Sequence, residues 1–122
     1  MNPVDWFEIP VTDINRAKKF YENVFGLQVF LNQMGSLKMG FFSMNNNVYG
    51  AAGSLVMGEG YVPSRTGTMV YFGVPDVEPV LGLIKQNGGK VLLPKTSIGE
   101  YGFIAHFQDS EGNSVALHSL GN

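Results

Sequence analysis

Residues 11–26, VTDINRAKKFYENVFG, and residues 74–89, VPDVEPVLGLIKQNGG, set out one plan twice, 63 positions apart. Val11 precedes Asp13 as Val74 precedes Asp76, and Gly26 closes the first stretch as Gly89 closes the second. Thr12 or Asp13 can cap a helix, because a short side-chain oxygen accepts from the free N–H groups of the first turn. Ile14, Ala17, Tyr21 and Val24 then recur at helical spacing, with Arg16, Lys19, Glu22 and Asn23 on the wetter side. The second copy turns Val77, Val80, Leu81 and Ile84 inward, and its Pro79 falls in the first turn, where a missing N–H costs little. Gly26 and the Gly88-Gly89 pair are natural stops, since glycine tolerates the left-handed conformation that follows a helix.

Outward from these helices the flanks also match. A strand is expected over 4–11, and three more near 27–33, 37–44 and 48–56, with Asn45-Asn46-Asn47 as a turn. The second half repeats this as strands 67–74, 90–95, 102–108 and 113–119, with a tight turn at 109–113. The order is β-α-β-β-β twice, in a single domain. The first module covers about 1–57, a Gly/Pro/Ser-containing linker about 58–66, and the second module 67–122.

Composition narrows the function classes. A chain of 122 residues with 44% hydrophobic content can supply one real core. Charged residues are 15% and the net charge is −2, so there is no basic footprint for nucleic acid. The absence of cysteine excludes disulfides, thiolate catalysis and Cys-ligated metals. The start, MNPVDWFEIP, has no signal-peptide pattern, and no apolar run approaches the roughly 20 residues that span a bilayer. A cytoplasmic protein with no membrane partner is expected.

Three stretches together resemble the vicinal oxygen chelate superfamily, the glyoxalase, bleomycin-resistance and extradiol-dioxygenase group. They are WFEIPVTDINRAKKFYENVFG at 6–26, YVPS at 61–64 and KTSIGEYGFIAHFQDSEGNSVALHS at 95–119. The combination of D-x-x-R-A-x-x-F-Y from Asp13 with D-x-E-G-N from Asp109 carries most of the specificity. The chain is most similar to the short, single-domain glyoxalase-like members. The resemblance implies an α+β fold in which two βαβββ modules form a cupped mixed sheet around a cavity, and it implies a homodimer.

Metal-dependent members draw four His, Gln or Glu ligands from the first and fourth strands of each module. Carried onto this sequence, those positions fall at Trp6, Met69 and Ala116, and the repeat offset adds Gly53. Indole, methyl and hydrogen offer no ligand atom, and a thioether suits soft copper better than zinc, iron or nickel. The expectation is therefore no metal and no cofactor.

Strand alternation then defines the cavity. Trp6 and Glu8 share a face, as do Met69 with Tyr71 and Ala116 with His118. Phe7, Ile9, Val70, Phe72, Val115 and Leu117 would pack under the helices. Trp6, Met69 and Tyr71 could bind an apolar or planar molecule, or simply fill the core. Glu8, desolvated against Trp6, would suit general acid–base work with His118 as partner, unless the two merely satisfy each other. Tyr61 could cap the mouth, and Lys95, Ser97 and Glu100 could form a polar rim, Glu100 contacting ligand, unless they are a solvated hairpin. His106 reads as a surface or satisfied histidine.

These residues favour a binding protein for a small, partly aromatic organic molecule. The alternatives are a metal-free isomerase or lyase with Glu8 as general base, a metal-dependent lactoylglutathione lyase or dioxygenase, and a dimerising structural module.

Overall fold

A computed structural model describes residues 2–44 and 50–121. The expected turn at Asn45, Asn46 and Asn47 lies outside the described residues. The elements are β1 (Trp6–Pro10), α1 (Ile14–Phe25), β2 (Val29–Met34), β3 (Leu37–Phe42), β4 (Ala52–Met57), β5 (Tyr71–Gly73), α2 (Val77–Gln86), β6 (Lys90–Ser97), a 3₁₀ turn (Gly99–Tyr101), β7 (Phe103–Gln108) and β8 (Ser114–Ser119). The βαβββ order holds in both halves. The strands form two four-stranded mixed sheets, β1-β4-β3-β2 and β5-β8-β7-β6. In each, the first strand of the module runs parallel to the last, and the other pairs are antiparallel.

The helices start and stop for the reasons their sequences give. Asp13 is extended and its side chain accepts the Arg16 N–H, while Gly26 takes φ +66° at the other end of α1. Asp76 caps α2 by accepting the Glu78 N–H. Ile14, Ala17, Phe20, Tyr21 and Val24 are buried along α1, and Val77, Leu81 and Ile84 along α2.

Both buried helix faces enter one core. From α1, Phe25 stacks on Phe72 of β5 with ring centroids 4.4 Å apart, and Phe20 lies 6.2 Å from Phe107 of β7. Tyr21 stacks on Phe72 and meets Phe42 edge-on. A helix of the first module thus buries its rings against strands of the second, and no boundary divides the core. Ile9, Val115 and Leu117 are buried in that core and Phe7 and Phe72 pack against it, on the side expected from alternation.

Strand 67–74 shrinks to three residues. Gly67 has φ +96°, incompatible with a regular strand, and ahead of it the Ser64 N–H donates to Asn113 Oδ1. Met69 consequently precedes β5 and is not part of it.

Candidate functional site

The faces of the sheets that point away from the core carry the expected site residues. In the first sheet, Trp6 is paired with Ala52, Glu8 with Ser54, Ser54 with Phe41 and Met39 with Val56. Paired residues share a face, so Trp6, Glu8, Ser54, Met39 and Phe41 stand together. Trp6 and Phe41 tilt against each other at 58° with centroids 5.9 Å apart. With Met34, Leu37 and Met39 they line an open groove of about 650 Å³ in which Glu8 is the one charged side chain. Glu8 is exposed, so the Trp6 wall does not desolvate it as the sequence suggested. Its Oε1 receives a long contact, 3.4 Å, from the Tyr61 hydroxyl, which places Tyr61 beside the groove.

Register corrects one expected position. Gly53 pairs with Phe7, on the core side, and a Cβ there would come within 2.6 Å of the Phe7 ring. Its lack of a side chain makes room for Phe7, beside a groove that Tyr71 also lines. Trp6 pairs with a residue 46 positions on, Ala52, whereas Tyr71 pairs with one 45 positions on, Ala116. The halves therefore differ by 62 positions in their last strands, and Ser54 is the counterpart of Ala116. A slip of one residue changes the face of the sheet.

On the second sheet Tyr71, Ala116, His106, Ile104 and His118 share the outer face. The Tyr71 hydroxyl lies 3.3 Å from His106 Nε2, so His106 is satisfied, as expected. His118 Nε2 donates to the Tyr101 carbonyl at 2.6 Å and ties the 3₁₀ turn, with exposed Glu100, to β8. Lys95 sits 4.6 Å over the Phe103 ring and 3.6 Å from Asp76. The structure does not pair Glu8 with His118. Trp6 and Glu8 line one groove, Tyr71 and His118 two others.

The two signature motifs meet each other instead of the grooves. Glu111 Oε1 accepts from the N–H groups of Thr12 and Asp13 at 3.0 and 2.9 Å, and Oε2 accepts from Arg16 Nε at 2.7 Å. Burial pushes the Glu111 carboxyl up, but bonds from Arg16, the Asp13 N–H, Ser110 and the Thr12 N–H outweigh it and hold the pKa at about 2. Asp109 is buried and accepts from Tyr21 Oη at 2.7 Å and from the N–H groups of Glu111 and Asn113 at 2.9 Å. Asn113 donates onward to the Pro10 carbonyl at 2.8 Å. D-x-x-R-A-x-x-F-Y and D-x-E-G-N are two halves of one lock between the modules.

Phe41, Met39 and Ser54 were not picked out from the sequence. The alternation Leu37-x-Met39-x-Phe41 was the available signal for the first two.

The donor set does not fit the divalent ion that the resemblance to metal-dependent members implies. Corrected for register, the four positions are Trp6, Met69, Ser54 and Ala116, and only the Ser54 hydroxyl is a hard donor, a weak neutral one. Among the described residues no group of three or more His, Asp or Glu side chains could hold a metal.

Comparison with known proteins places this geometry. Residues 4–117 match the model of the Glyoxalase/Bleomycin resistance protein/Dioxygenase superfamily, and the chain belongs to that superfamily. A glyoxylase-like domain-containing protein of Didymella fabae is 29% identical over 120 residues, covering 93% of this chain and 91% of that one. A glyoxylase-named Mycobacterium bovis protein, CFP32, is 29% identical over 117 residues, and this chain spans 44% of its length. Among solved structures, a family enzyme of Burkholderia phytofirmans PsJN superposes with a TM-score of 0.74 at 16% identity, covering 96% and 99% of the two chains. TnmS3, an antibiotic-binding protein from Streptomyces sp. CB03234, superposes with a TM-score of 0.66 at 23% identity, covering 98% and 97%.

Proposed function

We propose that this chain is a metal-independent member of the superfamily that binds a small, partly aromatic organic molecule. The observation that carries the reading is the Trp6–Phe41 pair, two inclined rings beside an open apolar groove. Such a wall favours a planar apolar ligand, which gains both area burial and ring contact. The donor-poor set Trp6, Met69, Ser54 and Ala116 supports chemistry without the family's ion. TnmS3, an antibiotic-binding protein, has this fold. In this reading the protein works in the cytoplasm as a homodimer. Among the described residues no helix is long and apolar enough to cross a membrane. The test is a titration of planar aromatic compounds followed by the fluorescence of Trp6, the one tryptophan. Saturable quenching supports the reading, and an unresponsive Trp6 with an unchanged melting temperature counts against it.

A second reading rests on the Tyr61–Glu8 contact. A carboxylate with a phenol beside it can move a proton, so a metal-free isomerase or lyase with Glu8 as base is the enzymatic alternative. Turnover indifferent to chelator and reduced about 10²-fold or more in Glu8→Gln would favour it, that being the usual scale for a positioned proton-transfer group.

A further inference from the structure

We infer that the Trp6 groove selects a monocationic aromatic molecule, a flat ring system carrying one protonated amine, which Glu8 holds as counter-charge. This inference rests on the binding reading above and adds the ligand's charge. Three observations carry it.

The first is the inventory of the groove. Its walls are Trp6, Met34, Leu37, Met39 and Phe41, and Glu8 is the single ionisable group among them. The second is that Glu8 has no cation of its own. Among the described residues the ion pairs join Arg16 to Glu111, Lys18 to Glu22 and Lys95 to Asp76, and none reaches Glu8. Lys38 is paired with Gln33 and Met57, one residue out of step with Met39 and so on the opposite face of the sheet. Among the described residues the one side-chain hydrogen bond to Glu8 comes from the neutral Tyr61 hydroxyl, at a distance too long for a strong bond. The third is Ser54, the cross-strand neighbour of both Glu8 and Phe41. Its hydroxyl is fully buried and, among the described residues, has no hydrogen-bond partner, so the strand behind Glu8 supplies no donor that neutralises it.

The sum of these is a groove with a carboxylate and two π faces, backed by a buried hydroxyl, and with no fixed positive charge among its lining residues. An anion would meet Glu8 unshielded. A neutral aromatic would fill the apolar part and leave the carboxylate unused. An ammonium beside an aromatic ring gains from both Glu8 and the negative faces of Trp6 and Phe41. One carboxylate matches one positive charge, and the net charge of −2 gives no field for a polycation.

The test is calorimetric titration of the whole protein with three compounds of one shape: 1-naphthylmethylammonium, 1-naphthylmethanol and 1-naphthoate. The ammonium should bind about ten-fold tighter than the alcohol, the scale of one charge-assisted hydrogen bond, and the naphthoate weakest. Glu8→Gln should erase the advantage of the ammonium and leave the alcohol unchanged. Glu8 is exposed, so this variant should keep the wild-type melting temperature. Equal binding of ammonium and alcohol, or an advantage that survives Glu8→Gln, overturns the charge inference while leaving the aromatic groove standing. If none of the three binds, the groove reading falls and the charge inference with it.

Discussion

The Tyr21 hydroxyl donates to Asp109 Oδ2 at 2.7 Å, between residues 88 positions apart and fully shielded from water. This bond joins the helix of the first module to the last turn of the second. Asp109 also orders its own turn through the Glu111 and Asn113 N–H groups. Removing the hydroxyl in Tyr21→Phe should cost about 1–3 kcal/mol, the penalty for leaving a buried acceptor short of a partner. Asp109→Ala should cost more, about 3–5 kcal/mol, because several donors lose their acceptor at once. Urea unfolding measures both; losses below about 0.5 kcal/mol, the range of ordinary surface changes, would show that the lock is idle.

The same lock has a pH signature. Glu111 has a folded pKa of about 2 against an ordinary 4.5, so the unfolded chain takes up a proton first as pH falls. Its contribution is whole above pH 4.5 and is lost as pH drops towards 2. Wild-type melting temperature should therefore fall more steeply from pH 5 to pH 3 than that of Glu111→Gln. Parallel curves would contradict the assignment. At the alkaline end, burial first and Asp109 second raise the Tyr21 phenol well above 10. Its contribution is complete below pH 10 and lost as pH rises beyond it, a loss that Tyr21→Phe should not show.

Gly53→Ala probes the register. The added methyl would meet the Phe7 ring and carbonyl at 2.6 Å, which should destabilise the protein by about 1–3 kcal/mol, the usual cost of overpacking. A neutral outcome in thermal denaturation would mean that position 53 does not pack closely against Phe7.

Ser54→Ala should be neutral or mildly stabilising, since it removes a buried hydroxyl that has no partner among the described residues. A loss above about 1 kcal/mol, the typical worth of a hydrogen bond, would reveal a partner for Ser54 Oγ.

The helices and the modular order were legible because caps, stops and apolar spacing are local. Asp13, Gly26 and Asp76 act within a few residues of where they stand. Strand faces were legible wherever counting began inside the same strand, as for Trp6 and Glu8. Carrying the count from one module to the other failed at Gly53, because the halves differ by one residue between helix and last strand. That difference has no local mark. Strand β5 was overextended because Gly67 breaks a stretch whose composition otherwise suits a strand. Phe41 and Met39 were missed since cross-strand neighbours depend on pairing, which alternation alone does not reveal. The signature motifs were read as family marks, and their physical role as a lock emerges only when Arg16 and Glu111 are seen 2.7 Å apart.

The central claim, binding of a flat organic molecule at Trp6 without a metal, is tested most directly by one titration of Trp6 fluorescence with an aromatic ammonium, run with and without a strong chelator. The account predicts saturable quenching with the same midpoint in both, weakened about ten-fold or more in Phe41→Ala, whose removed ring is a large part of the buried contact. Binding that chelator abolishes and zinc, nickel or iron restores would contradict it.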